Sequence, residues 1–238
     1  MEGDWDASSN STNDAKENLS ILHLVYDMII GGVQYVSSST FWPLVFMKVT
    51  AAIIYGGADV LNVSFSEMDD HHQSEFSNNQ AENSRRLGAL FFSVGLGCYI
   101  GPLIADNWTS MKNMNTILNA CVVAFAIQGI GLLGMSYFFD PFYYTCIFTV
   151  VRSVGSSITW IDSSILLQSY SKPDMLGRVM AVDYGLALTG ESLSALIVGI
   201  LQDRMGMSAM KVSSFMGYIA VFMFVLWLAY RLHGPKLK

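Results

Sequence analysis

Long apolar segments separated by short polar turns dominate the chain. Six segments approach or exceed the roughly 20 apolar residues that an α-helix needs to cross about 30 Å of hydrocarbon. The connections between them carry turn residues, such as Asp140-Pro141 and Lys172-Pro173-Asp174. The pattern predicts an all-α membrane protein with six transmembrane helices, at residues 43–66, 87–105, 114–139, 142–170, 176–201 and 212–232.

Two segments precede this predicted six-helix bundle of residues 43–232. Residues 1–18 are acidic, rich in Ser and Asn and poor in apolar side chains, which predicts a disordered tail. Over residues 19–37 the apolar positions recur at helical spacing, with Asp27 and Gln34 between them. This spacing favours an amphipathic linker helix on the membrane surface, with a poor seventh span as the alternative. Residues 233–238 are a short C-terminal tail.

The composition agrees with a membrane protein. Apolar types make up 52% of the residues and charged types 13%, about half the charged share of globular proteins. The net charge of −6 comes mainly from the tail and loops, and it indicates no nucleic-acid partner. More Lys and Arg fall on the side of the N-terminus than on the other, so both termini are expected in the cytoplasm. The sequence does not say which membrane holds the protein.

The motifs of enzymes and metal sites are not recognisable in the sequence. It has no HExxH and no nucleophile elbow, and its three cysteines have no pairable spacing. His71 and His72 lie with Asp69 and Asp70 in an acidic loop, which could weakly bind a divalent cation or simply be solvated. We therefore expect no enzymatic activity, no cofactor and no resident metal ion.

The first span carries a polar stripe along one helical face, formed by Lys48, Tyr55, Asp59, Asn62 and Ser66. The stripe either lines a water-filled cavity or packs against other helices with Asp59 hydrogen-bonded. Lys48 lies about 16 Å from Asp59 along the axis, which is too far for pairing. We expect Lys48 to extend its ammonium to the inner membrane surface.

The fourth and fifth spans place opposite charges near the middle of the membrane. Arg152, Ser156 and Thr159 share one face of the fourth span, and Glu191 reaches a similar depth on the fifth. Charges at this depth are costly unless they are paired, so Arg152 and Glu191 are a candidate pair. The pair is either static or changes with conformation, with Glu191 or Asp59 then taking up a proton.

The remaining charges and spans complete this picture. Asp162, Asp183 and Arg178 are expected near the cytoplasmic ends of the same two helices. Gly97 and Gly101 in the second span form a small-xxx-small step that permits close helix contact. The third and sixth spans are almost wholly apolar, and we expect both to face lipid.

Several stretches resemble the C-terminal half of a major facilitator superfamily transporter, in the branch of drug and enterobactin-exporter-like proteins. IIYGGADVLNVSFSE is similar to the seventh helix of that family, and NSRRLGALFFSVGLGCYIGPLIAD to its eighth. MLGRVMAVDYGLALTGESLSALIVGILQDRMG resembles the eleventh helix with its flanks. The resemblance covers residues 20–232 and depends on the order of these stretches, since no single motif is diagnostic.

The resemblance implies alternating access, in which two six-helix halves move around a site near the membrane midplane. It implies that this site binds a small organic substrate and a proton or sodium ion. On this basis the cavity residues are Asp59, Asn62, Arg152, Ser156, Thr159 and Glu191. The partner would be a missing N-terminal six-helix half or a second copy, and a lone half is not expected to transport. The alternative is a non-transporting membrane binding or assembly protein that retains the half-fold.

Overall fold

A computed structural model describes residues 26–27, 29–37, 42–67, 79–109 and 114–233, and all regular structure in these ranges is helical. The all-α prediction is thereby confirmed for the described part of the chain. The predicted tail at 1–18, the histidines of the acidic loop and residues 234–238 lie outside it. The long helices are α1 (Trp42–Ser66), α2 (Asn79–Trp108), α3 (Met114–Tyr137), α4 (Phe142–Tyr170), α5 (Leu176–Asp203) and α6 (Ala209–His233).

Five of these helices, all except α4, are long and apolar enough to cross a membrane. Their number identifies a multi-pass membrane protein, as predicted. Helix α4 is equally long but contains Arg152, Asp162 and a series of Ser and Thr residues. Most of these polar side chains are buried inside the bundle, which removes them from contact with lipid.

The helical segment at 29–37 packs against the connection between α4 and α5. The Lys172 backbone N–H donates a hydrogen bond to the Tyr35 hydroxyl at 3.3 Å. A Cβ on Gly32 would lie 2.9 Å from the Arg178 carbonyl oxygen, so the segment lies directly on the start of α5. Ile29 and Val33 are exposed, as an amphipathic helix requires. Its position on the membrane surface remains a prediction, and residues 19–25 and 28 lie outside the described ranges.

Helix α3 is more deeply buried than its apolar sequence suggested. In its most apolar stretch 61% of the residues are buried, against 33% for α6. It packs between α4 and α6, so the prediction that α3 faces lipid is wrong for most of its length. The reason is that lipid tails and protein interiors accept the same side chains, so hydropathy does not distinguish them.

Helices α1 and α5 lie side by side and run in the same direction. Lys48 meets Asp183 near the start of both helices, and Ser64 meets Gln202 near their ends. The residue numbers of the contacts rise together, which defines a parallel pair. Contacts between α4 and α5 are few, although only a short turn joins them.

Helices α4 and α2 form a second parallel pair. Gly97 packs against Ser153, and Gly101 packs against Ser157 one turn later. A Cβ on Gly97 would lie 2.6 Å from the Ser153 Cβ and from the Val150 carbonyl oxygen, so α2 approaches α4 here as closely as only glycine permits. The predicted close contact at Gly97 and Gly101 is confirmed.

The packing of α1–α3 is thus repeated by α4–α6. When α1, α2 and α3 are matched to α4, α5 and α6, the contact of α1 with α5 corresponds to the contact of α4 with α2. In the same way, the contact of α3 with α4 corresponds to the contact of α6 with α1. The latter two pairs are antiparallel, as the contacts of Gln128 with Thr159 and of Thr50 with Trp227 show together with the glycine contacts. Helices three positions apart in an alternating bundle run in opposite directions, so the two three-helix units are inverted relative to each other.

Candidate functional site

A polar cluster lies between α1 and α4, the first helices of the two units. Arg152 is 2% exposed, and its Nη2 donates a hydrogen bond to Asn62 Oδ1 at 3.0 Å. The same Nη2 lies 3.9 Å from Asp59 Oδ1, with the Asp59 side chain 34% exposed. Tyr55, one turn from Asp59 on α1, faces its carboxylate. We call Tyr55, Asp59, Asn62 and Arg152 the central cluster.

The central cluster has unused hydrogen-bonding capacity. Arg152 Nε, Asn62 Nδ2 and Asp59 Oδ1 are buried, and none has a hydrogen-bond partner within the described part of the chain. Each buried group left without a partner costs about 1–3 kcal/mol. The two donors of Arg152 and Asn62 and the one acceptor of Asp59 can therefore bind a polar ligand group.

Ser156 lies next to the central cluster, whereas Thr159 does not. Ser156 is buried and borders, with Arg152, a void too small to hold a ligand. Thr159 donates to the Gly155 carbonyl at 3.0 Å and accepts from Gln128 Nε2 at 3.3 Å. It is fully buried between α4 and α3, so the structure does not bring it into the predicted cavity.

The predicted ion pair between Arg152 and Glu191 is wrong. Arg152 pairs with Asp59 and Asn62 of α1 instead. Helix α5 packs along α1, where the Glu191 backbone lies against Gly56. Glu191 is therefore next to the acidic Asp59 rather than the guanidinium, and it is partly exposed. Both charges lie at a similar level along α1, as the sequence indicated, but the sequence could not say which helices are neighbours.

A second polar cluster lies toward the end of the bundle where α1 and α5 begin. Lys48 Nζ donates to Asp183 Oδ2 at 2.7 Å and to Ser164 Oγ at 2.7 Å. It also lies 4.8 Å from the Trp160 ring centre and 4.1 Å from that of Tyr184. The pairing thus combines an ion pair with cation–π contacts in a site that excludes water.

The prediction that Lys48 extends to the membrane surface is wrong. Its side chain is 0% exposed, because Asp183 lies beside it on the parallel helix α5. Both residues lie six or seven positions after the start of their helices, about 10 Å along the axis. This equal depth was the signal in the sequence that could have identified the pair.

The other two charges predicted near the cytoplasmic end differ in their surroundings. Arg178 is exposed at the start of α5 and borders the 29–37 segment. Asp162 is 5% exposed and faces Cys121 of α3. Asp162 Oδ2 has no hydrogen-bond partner in the described ranges.

A cavity of about 190 Å³ lies between α2, α3 and α4, away from the central cluster. Its lining includes Ala105, Trp108, Asn119 and Ile158, and it is mostly apolar. None of the predicted site residues lines it. Among the described residues, no group of three or more His, Cys, Asp or Glu side chains could hold a metal ion.

No protein-family model, curated protein or solved structure matches the chain.

Proposed function

We propose that the chain is the C-terminal half of a secondary active transporter of the major facilitator type, which exports a small organic molecule. The observation that carries the proposal is the central cluster, a buried arginine with unsatisfied polar neighbours between α1 and α4. Ionisable side chains at this depth are rare in membrane proteins and mark substrate or ion pathways.

The inverted packing of the two three-helix units supports the same proposal. Transporters of this type contain inverted three-helix repeats within each half, and they bind substrate near the midplane where repeats meet. Arg152 and Asn62 come from the equivalent helices α4 and α1, and they join the two units. The location of the central cluster between the two units supports its role as the binding site in this proposal.

In this proposal α4 is the sixth transmembrane helix. Its 29 residues extend about 44 Å, which is more than the hydrocarbon thickness requires. Its charges face α1 and α3, where partner helices shield them from lipid. The substrate pathway is completed by a second six-helix half or a second copy of the chain, and a proton or sodium ion drives transport.

Side-specific labelling of an engineered cysteine tests the proposal without knowledge of the substrate. Leu188 is 55% exposed in the middle of α5, on the helical face that also carries Tyr184 and Glu191. Phe222 is 60% exposed in the middle of α6, opposite its buried face, and is the matched control. The background carries serine in place of the three native cysteines.

If the protein is a transporter, Leu188→Cys should react with a membrane-impermeant maleimide from either side of sealed vesicles, because the pathway opens alternately to the two sides. Phe222→Cys should resist the reagent from both sides, because it faces lipid. Labelling of Leu188→Cys from one side only would favour the non-transporting binding or assembly protein. Protection of Leu188→Cys from both sides would remove α5 from any water-filled pathway.

A further inference from the structure

Asp162 is a buried carboxyl group without a counter-charge. Its side chain is 5% exposed, and Oδ2 has no hydrogen-bond partner in the described part of the chain. The other acidic residues within the bundle are differently placed. Asp183 binds Lys48, Asp59 lies beside Arg152, and Glu191 is partly exposed. Among these four acidic residues, Asp162 is thus the one that is buried without a positively charged partner.

The groups around Asp162 offer it no positive charge. From α3, the titratable group that faces it is the fully buried Cys121 thiol. Lys48 of α1 is held by Asp183 of α5 on the Ser164 side of α4. At the surface, Arg231 of α6 donates to Asn119. None of the ion pairs among the described helices includes Asp162.

Such surroundings disfavour the charged form of a carboxyl group. Buried charges persist where they are paired or bound to a metal ion, and an unpaired carboxyl group binds a proton instead. A mostly apolar cavity of about 190 Å³ lies close by, since Ile158, one turn earlier on the same face of α4, borders it.

We propose that Asp162 is the proton-binding site of this protein. It holds a proton in the conformation described and releases it to water when α3 and α4 move apart. One proton binds and leaves per cycle, which makes the proton the coupling ion. The coupling role rests on the proposed transport function, whereas protonation of Asp162 does not.

Infrared difference spectroscopy of the full chain in liposomes tests the protonation directly. Between mildly acidic and alkaline buffer, we expect loss of a carboxylic-acid C=O band, which Asp162→Asn removes and Asp162→Glu retains. Asp203→Asn, at an exposed position at the end of α5, should leave the band unchanged. A spectrum identical in wild type and Asp162→Asn would overturn the proposal.

A second measurement needs no variant and so is independent of misfolding. Dicyclohexylcarbodiimide reacts with protonated carboxyl groups in apolar surroundings. Peptide mapping of the treated wild-type protein should locate the adduct on Asp162, with the yield falling as the pH is raised. An adduct elsewhere, with Asp162 unmodified, would contradict the proposal.

Flux measurements separate this inference from the transport function. If both hold, Asp162→Asn transports without any stimulation by a pH gradient. If Asp162→Asn keeps full stimulation, the coupling role is wrong even where the infrared band belongs to Asp162. If wild type shows the band but no flux with any substrate, the transport function fails while the proton site stands.

Discussion

Lys48 of α1 and Asp183 of α5 form an ion pair at 2.7 Å in which neither side chain reaches solvent. The pair joins the two inverted three-helix units, since α1 belongs to one and α5 to the other. Trp160 and Tyr184 cover the ammonium group, and Ser164 accepts its second hydrogen bond. This arrangement fixes α5 on α1 and so keeps α5 away from Arg152.

Breaking this pair should destabilise the protein strongly. We expect Lys48→Met or Asp183→Leu alone to cost about 3–5 kcal/mol, because each leaves a buried charge without its partner. The double variant should be close to wild type, because it buries two apolar side chains instead. Reversible unfolding in mixed micelles measures the free energy of unfolding of all three variants. A double variant as unstable as the single variants would show that the charges themselves are required.

Gly56 should not tolerate a larger side chain. A Cβ at this position would clash with the Glu191 carbonyl oxygen, whereas one at Gly95 of α2 would meet nothing within 4 Å. We expect Gly56→Ala to lower the free energy of unfolding by about 1–3 kcal/mol through overpacking. Gly95→Ala should raise it by up to about 1 kcal/mol, since alanine favours the helix. If the two substitutions changed the free energy of unfolding equally, α1 and α5 would lie farther apart than described.

Replacing Asn62 should destabilise the protein more than replacing Asn119, a surface asparagine that also accepts a hydrogen bond from an arginine. Asn62→Leu removes the acceptor of a buried arginine hydrogen bond, which is worth about 1.5–3 kcal/mol. Asn119→Leu removes the corresponding bond to Arg231 at an exposed position, and such surface changes stay within about 0.5 kcal/mol. Measuring the free energy of unfolding of both variants compares the two losses of stability directly. Similar losses would indicate that the central cluster is hydrated.

The native cysteines should differ in reactivity. Cys121 is fully buried, whereas Cys98 is partly exposed near Arg152 and Asp59. A small maleimide should therefore modify Cys98 in the folded protein and Cys121 only after unfolding, as mass spectrometry of the peptides would show. Rapid modification of Cys121 would contradict the packing of α3 on α4.

Hydropathy and turn residues were enough to predict an all-helical membrane protein, because each helix needs a long apolar sequence to enter lipid. The contact at Gly97 and Gly101 was also predictable, since only small residues permit it. The partners of Arg152 and Lys48 were not. The up-and-down order of helices fixes their directions but not their neighbours, and α5 crosses from its sequence neighbour α4 to α1.

We propose that the central cluster belongs to a transport pathway. The most direct measurement is the flux of small fluorescent organic cations and anions, driven by a pH gradient, into everted vesicles from the native cells. The wild-type gene is replaced in turn by Asp59→Asn, Arg152→Gln and the control Asp203→Asn. We predict gradient-dependent uptake of at least one compound, lost in the first two variants and retained in the third. Uptake that is unchanged in both cluster variants, or absent from wild type, would contradict the claim.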